Sequence, residues 1–190
     1  MSPESVVRFT VLAFRQQDWN ALWLVRLRQL AESGVRLDVL PERPDHTSPY
    51  EQDYHRIDQV YLSGAGNFWL AWCEQLPVGH IGAQAFDDVV ELRRLYVIPE
   101  YRRHGVGTAL VRTLVEHCTT QRVRAIELWT VASGPGRGLY ERFGFRVVDK
   151  PGPEFRVVNY PAGEIRMRFG LAIGNRTIIV ECDLKRNARR

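Results

Sequence analysis

The chain has 190 residues, of which 45% are hydrophobic, 25% charged and 11% aromatic, which is typical of a globular domain and excludes collagen-like and low-complexity proteins. The four basic residues of 185–190 carry as much charge as the whole chain's net +4, so that residues 1–184 are neutral overall; because a nucleic-acid groove needs basic residues over one face, nucleic acid is not expected as a partner. The longest apolar run, 68–73, is far shorter than the about twenty residues of a membrane helix, and Arg8 interrupts the only early apolar stretch, so neither a membrane span nor a secretory signal is predicted.

The first part of the chain is predicted to form a strand, two helices and three consecutive strands. Residues 6–14 are rich in β-branched and aromatic side chains, which favours a strand. Apolar residues at helical spacing follow Asp18, which suits the N-cap of a helix that ends at Gly34. Prolines within 41–50 indicate an irregular connection. The remaining elements are a helix over 51–62 and strands over 67–74, 78–86 and 89–98, with joins at Leu76-Pro77 and Asp87-Asp88.

The second part begins with a long amphipathic pattern. Over residues 103–120, Val106, Leu110, Leu114 and Cys118 recur every four residues, which predicts a helix with one apolar face. The later elements are a strand over 125–131, a short helix over 136–143, and strands over 145–149 and 164–173. This order predicts an α/β fold with helices on both faces of a sheet.

A loop that contains two glycines joins a predicted strand to this helix. Gly105 and Gly107 let the backbone approach a bulky anion, and the first N–H groups of a helix have no internal partner. The positive end of the helix dipole and the side chains of Arg102, Arg103 and His104 complete an anion site that suits a pyrophosphate. A G-x-G pair alone is more often only a tight turn, and the Walker and dinucleotide-binding glycine motifs are both absent.

Three segments carry further motifs in a consistent order. Residues 102–107 read R-R-H-G-V-G and follow L-R-R-L-Y-V-I-P at 92–99, and residues 139–145 read L-Y-E-R-F-G-F. They resemble, in turn, the pyrophosphate motif, the strand before it and the late helix and turn of the GNAT family of acetyl-CoA-dependent N-acetyltransferases. The resemblance covers residues 5–171 and is most specific over 78–148.

The resemblance implies a GNAT fold. In that fold a mixed central sheet of about seven strands has helices on both faces, and two central parallel strands, here 89–98 and 125–131, splay apart. It also implies a single acetyltransferase domain over residues 1–171, followed by an extension over 172–190.

Acetyl-CoA is the co-substrate that the resemblance implies, and no metal is expected because no pair of histidines has metal-ligand spacing. The strand backbone would pair with the pantetheine amides in the manner of an added strand, and the loop would hold the pyrophosphate. The residues expected to bind acetyl-CoA are Leu95, Tyr96, Val97, Arg102, Arg103, His104, Gly105, Val106, Gly107 and Thr108.

Tyr140 is the candidate general acid. It matches the family tyrosine thought to protonate the departing CoA sulfur, and a phenol with a pKa near 10 suits that step because a thiolate can take its proton. The alternative is an aromatic residue that only packs beside Leu139 and Phe143.

Glu91 is the candidate general base for the incoming amine. Strand alternation predicts that it shares one face with Arg93, Leu95 and Val97, a few residues before the strands separate. A charged side chain in a central strand is costly unless it is paired or lines a wet pocket, so a polar network with Arg93 or near Glu127 is the alternative.

Two positions depart from the family pattern. Leu128 stands where some members carry a glutamate, and Ser133 stands where the family has an asparagine, so neither residue is assigned a catalytic role. These departures leave open a non-catalytic CoA-binding module that serves in sensing or assembly.

The predicted function is acetyl transfer from acetyl-CoA to a primary amine of a small molecule, such as an amino acid, a peptide or a drug-like amine, by direct attack in a ternary complex. Acetylation of protein amines is an alternative. Arg93 and Arg94 could recognise a carboxylate on the acceptor, or they could be structural.

The C-terminal sequence and the cysteines bear on partners and compartment. Gly174-Asn175 separates two strand-like runs and predicts a hairpin, whose outer strand would offer an edge for a second copy of the chain and hence a homodimer. Three widely spaced cysteines without a C-x-x-C pair exclude a disulfide framework and favour a reducing cytoplasm.

Overall fold

A computed structural model describes residues 8–35, 52–148 and 163–171, which form a seven-stranded mixed sheet with helices on both faces. The strands are β1 (Thr10–Ala13), β2 (Asn67–Cys73), β3 (Leu76–Phe86), β4 (Val89–Val97), β5 (Ala125–Val131), β6 (Arg146–Val148) and β7 (Glu164–Gly170). The helices are α1 (Trp19–Glu32), α2 (Gln52–His55), α3 (Ile57–Val60), α4 (Val106–Thr120) and α5 (Arg137–Arg142). Among these described helices, none combines the length and the apolar composition that a membrane crossing requires.

The strand order is β1-β2-β3-β4-β5-β7-β6, and among these seven described strands only β4 and β5 are parallel neighbours. Their pairing starts at Val89 and Ala125 and ends at Glu91 and Glu127, although β4 continues to Val97 and β5 to Val131. The two central strands therefore enclose an open wedge. This confirms the predicted mixed sheet with splayed central strands.

A β-bulge in β4 changes which side chains share a face. The register passes from His80 opposite Tyr96 to Gly82 opposite Arg93, so that β4 has an extra residue there, and Arg94 has φ +57°. The prediction that Glu91 and Arg93 share a face with Leu95 and Val97 is therefore wrong for Val97. A Cβ at Gly79 would lie 3.3 Å from both Val97 Cγ2 and a methyl group of Leu110 on α4. Val97 therefore points towards α4. Arg93 lies on the other face of the sheet, where it donates a hydrogen bond to Gln84, the residue opposite Glu91 on β3.

The predicted helix over 51–62 is broken into α2 and α3 at Arg56, which has φ −124°. The break allows the Tyr61 hydroxyl to donate a hydrogen bond to Asp53 at 2.5 Å, and both side chains are buried. The predicted turn between β2 and β3 at Leu76-Pro77 is also wrong, because both residues already belong to β3. The turn lies between Cys73 and Leu76 and contains Glu74, which has φ +55°.

Two apolar clusters hold the layers together. On one face of the sheet, the four predicted apolar positions of α4 are each at most 1% exposed. On the other face, Tyr54, Tyr61 and Phe68 pack with α1. The proposed hairpin at Gly174-Asn175 lies outside the described residues, as do the prolines within 41–50.

Candidate functional site

The glycine loop opens α4 in the way that an anion site requires. Gly105 is the N-cap of α4 with φ +87°, a conformation that glycine adopts without strain. The first helical hydrogen bond runs from the Ala109 N–H to the Gly105 carbonyl, so the N–H groups of Val106, Gly107 and Thr108 have no partner within the helix. Three donors thus point out of the positive end of the helix dipole.

Gly107 is small for a reason other than core packing. A Cβ built at this position would lie 3.6 Å from Leu139 of α5 and 3.8 Å from Val97 at the end of β4, which are ordinary contacts. The fold can therefore accept a methyl group here. Packing therefore does not require the absence of a side chain at Gly107.

Arg102, a predicted pyrophosphate ligand, is held by a residue that the sequence analysis did not single out. Its guanidinium donates to both carboxylate oxygens of Glu32 at 2.7 and 2.5 Å, and its Nε donates to the Val97 carbonyl at 2.8 Å. Tyr96 donates to the same carboxylate at 2.9 Å. These hydrogen bonds, first from Arg102 and then from Tyr96, hold the pKa of Glu32 below its ordinary value. Arg102 therefore ties the end of α1 to the end of β4.

Arg103 and His104 are exposed beside the same helix N-terminus. Arg103 has φ +66°, a left-handed conformation that arginine seldom adopts, and Gly105 two residues later is left-handed as well. Both side chains are available to a ligand at the loop.

Tyr140 lies on α5 and is 6% exposed. Its ring meets that of Phe145 edge-on at 5.8 Å between centroids, and burial raises the pKa of the phenol above its ordinary value. Within the described part of the chain, the Tyr140 hydroxyl makes no hydrogen bond, so its proton is not committed to another protein group. The ring therefore packs in the core, as predicted if Tyr140 were only a packing residue, while its hydroxyl group is not engaged by another protein group.

Glu91 lies at the apex of the wedge, in the last residue pair that joins β4 to β5. It is 7% exposed, and one carboxylate oxygen lies 3.9 Å from the Nε of Arg93. Its neighbour across the strands, Glu127, is fully buried and pairs with Arg166 and, at 2.6 Å, with Arg168. Glu91 is therefore both at the wedge and beside a buried charge network.

A cleft of about 190 Å³ opens on this same face of the sheet. Its lining residues are Gln52, Asp53, Arg56, Val60, Gln84, Arg93 and Arg94. The Nε and Nη2 atoms of Arg94 each donate a hydrogen bond to one carboxylate oxygen of Asp53, both at 2.7 Å. The Nη1 of Arg93 donates instead to the side-chain oxygen of Gln84 at 2.6 Å. Burial alone would raise the pKa of Asp53, but the charge and hydrogen bonds of Arg94 outweigh burial and lower it. The cleft is positively charged overall, with Arg56 exposed at its rim and Arg93 and Arg94 partly exposed.

Asp53 and Gln84 could not be recognised from the sequence, because Arg94, the partner of Asp53, lies 41 residues away and no local motif marks the contact of Gln84 with Arg93 between β3 and β4. No group of three or more histidine, cysteine, aspartate or glutamate side chains arranged to hold a metal occurs among the described residues.

Comparisons with known proteins agree with this geometry. Residues 32–145, more than half of the chain, match the profile of the Acetyltransferase (GNAT) family. The chain is 37% identical over 100 residues to an N-acetylaspartate synthetase of Xenopus tropicalis, a match that covers 50% of this chain and 37% of the relative. It is 34% identical over 102 residues to human N-acetyltransferase 8, covering 50% and 45% of the two chains. The chain thus spans less than half the length of these relatives.

Solved structures share the fold. An acetyltransferase of the GNAT family from Staphylococcus aureus superposes with a TM-score of 0.70 at 21% identity, covering 87% of this chain and all of its own. The PaiA N-acetyltransferase of Thermoplasma acidophilum, solved in complex with coenzyme A, gives a TM-score of 0.61 at 16% identity, with 86% and 99% covered. With the splayed sheet, the glycine loop and the profile match in agreement, this chain belongs to the GNAT family of acetyltransferases.

Proposed function

We propose that this chain transfers the acetyl group of acetyl-CoA to the primary amine of a small molecule, by direct attack in a ternary complex. The observation that carries the proposal is the juxtaposition of two features. The N–H groups of Val106, Gly107 and Thr108, which have no partner within α4, lie next to the end of β4, whose pairing with β5 has already stopped at Glu91. One ligand with a pyrophosphate and an amide-containing arm would use both features.

Acetyl-CoA would bind along β4 and the glycine loop. Beyond Glu91 the edge of β4 that faces β5 is no longer paired, so the backbone from Leu95 through Tyr96 to Val97 is a candidate partner for the pantetheine amides. The residues proposed for the pyrophosphate are Arg102, Arg103, His104, Gly105, Val106, Gly107 and Thr108. Arg102 would reach the phosphates only by sharing or leaving its contact with Glu32.

The chemical step moves one acetyl group and two protons. The neutral amine nitrogen attacks the thioester carbonyl carbon, and the C–S bond breaks as the new C–N bond is completed. Glu91 would take one proton from the acceptor's ammonium group to give the neutral amine, Tyr140 would give its proton to the departing sulfur, and the proton that the nitrogen loses as the amide forms would restore the Tyr140 phenol. The raised pKa of Tyr140 keeps the phenol protonated until the thiolate forms.

The acceptor is proposed to be an amino acid or a related amine with a carboxylate. Arg93 is a cation at the cleft, and its Nε lies 3.9 Å from the Glu91 carboxylate. In an α-amino acid only one carbon separates the amine from the carboxylate, so a carboxylate at Arg93 would bring the amine next to Glu91. The relatives named N-acetylaspartate synthetase point to the same acceptor class.

Two other functions have less support than acetylation of a small amine. Leu128 and Ser133 depart from the family pattern, which is the argument for a CoA-binding module without turnover, and protein amines are a second class of acceptor. A domain over 1–171 with an extension over 172–190, a homodimer and a cytoplasmic location are further proposals that rest on the sequence alone.

Replacing Gly107 by alanine should weaken acetyl-CoA binding by about tenfold or more, because the methyl group occupies the space of the pyrophosphate while the fold accepts it. The dissociation constant from calorimetry is the measurement. Gly170→Ala is the control, since a Cβ there meets nothing within 4 Å. Equal affinities of Gly107→Ala and wild type would show that the phosphate site lies elsewhere.

Replacing Tyr140 by phenylalanine should lower kcat by about 10²–10⁴-fold, because the ring and its packing against Phe145 remain while the proton donor is lost. The dissociation constant for acetyl-CoA should stay near that of wild type. Steady-state kinetics with a saturating acceptor provide the test. Near-normal turnover would leave Tyr140 as a packing residue.

Replacing Glu91 by glutamine should impair turnover most at low pH. There the acceptor amine is mostly protonated and needs the base, whereas high pH supplies the free amine directly and should restore part of the rate. The pH profile of kcat is the measurement, with Tyr140→Phe as the comparison that lacks this restoration. Parallel profiles for Glu91→Gln and wild type would argue against the general base.

Replacing Arg93 by glutamine should raise KM for a carboxylated acceptor by about 10–100-fold, since a hydrogen bond to a charged group contributes about 1.5–3 kcal/mol. KM for acetyl-CoA should hardly change. The exposed Arg142→Gln on α5 is a charge-matched control. The wild type should also prefer an amino acid over its carboxamide, and the loss of that preference in Arg93→Gln is the decisive comparison. An unchanged preference would remove Arg93 from the acceptor site.

A further inference from the structure

The β4 bulge is held in a conformation that its residue does not favour. Arg94 has φ +57°, in the left-handed region that side chains other than glycine, asparagine and aspartate seldom adopt. Such a conformation persists only when surrounding contacts enforce it. The contacts around Arg94 come from two separate elements, β3 and α2.

His80 of β3 holds the backbone of the bulge. Its Nδ1 lies 2.5 Å from the Arg94 carbonyl oxygen. The ring is fully buried, between the aromatic rings of Tyr54, Phe68 and Tyr96, and burial lowers its pKa to about 3. His80 is therefore neutral, and Nδ1 carries the proton that it donates to the carbonyl.

Asp53 of α2 holds the side chain of the same residue. Both of its oxygens accept hydrogen bonds from the Arg94 guanidinium, and the buried Tyr61 hydroxyl donates a third at 2.5 Å. The guanidinium also lies 4.8 Å from the centre of the Tyr54 ring. Helix α2 is thus fastened to the middle of the central strand through one arginine.

The bulge separates the two halves of the proposed site. Arg93, immediately before it, bonds Gln84 at the acceptor cleft, whereas Val97 beyond it packs beneath α4, next to the glycine loop. In a regular strand these two side chains would share one face, as the sequence alternation predicted. The bulge therefore decides that one end of β4 serves the acceptor and the other serves acetyl-CoA.

We propose that Asp53 and His80 are positioning residues for acetyl transfer: by holding Arg94 in the left-handed conformation they fix the bulge that aligns the acceptor-facing part of β4 with its acetyl-CoA-facing part. The inference rests on the proposed function and adds residues that touch neither substrate. Asp53 and His80 act through the backbone of Arg94. A residue at position 94 that adopts the left-handed conformation without support should therefore compensate for their loss.

The test compares two double variants, Asp53→Asn/Arg94→Gly and Asp53→Asn/Arg94→Ala. Both lack the ion pair and leave no unpaired charge, and they differ only in that glycine adopts φ +57° freely while alanine does not. We expect kcat of the glycine variant to exceed that of the alanine variant by about tenfold, since small misplacements cost large factors in rate. Rates are taken well below both melting temperatures, so that both variants are folded.

A His80→Phe substitution tests the second contact. It keeps an aromatic ring in the cluster and removes the donor to the Arg94 carbonyl. It should lower kcat severalfold in the wild type and much less in the Asp53→Asn/Arg94→Gly background, where the bulge needs no support. Equal losses in both backgrounds would assign His80 to core packing only.

Measuring acetyl-CoA binding distinguishes a failure of this inference from a failure of the proposed acetyl transfer. Leu95 follows the bulge directly, so the alanine variant should also bind acetyl-CoA more weakly than the glycine variant, by about threefold or more in calorimetry. If wild type binds acetyl-CoA but acetylates no amine, the proposed function fails and this comparison still decides the inference. Equal kcat and equal affinity in the two double variants would overturn it.

Discussion

The structure depends on one interruption of hydrogen bonding at the centre of the sheet. The parallel strands β4 and β5 pair for only three residues each, and then separate while each stays bonded to its outer neighbour. Backbone N–H and C=O groups in the interior of a protein need partners, and an extended ligand with amides can supply them. The fold therefore leaves a strand position unfilled at the centre of the sheet, with the N-terminus of α4 at its open end, and we propose that acetyl-CoA occupies this position.

The apex of this wedge is polar because of residues on β7 as much as on the central strands. Glu127 is fully buried and is neutralised by Arg166 and Arg168, which face it across the β5–β7 pair. Breaking a buried ion pair costs about 3–5 kcal/mol, so this network also fixes the position of β7. Glu91 lies beside these charges, and the nearby guanidinium of Arg93 makes a carboxylate tolerable in a central strand.

The local part of this architecture could be predicted from the sequence, and the long-range part could not. The four-residue repeat of α4 and the two glycines of the loop are local patterns, and the helix has the predicted buried face. The bulge at Arg94 could not be predicted, because it depends on Asp53 and His80, which are distant in the chain. The contact between Glu32 and Arg102 could not be predicted either, because the two residues are 70 positions apart in the chain. Alternation alone therefore placed Val97 on the wrong face.

Acetyl transfer at the wedge and the glycine loop is the activity that we propose for this chain. Its most direct test is the release of free CoA thiol from acetyl-CoA by the purified chain, followed with a panel of primary amines that includes amino acids, their carboxamides, polyamines and lysine peptides. We expect thiol release that depends on the acceptor, with an equal amount of acetylated amine, and the highest kcat/KM for carboxylated acceptors. Acetyl-CoA binding without thiol release for any amine would contradict it and identify a binding module instead.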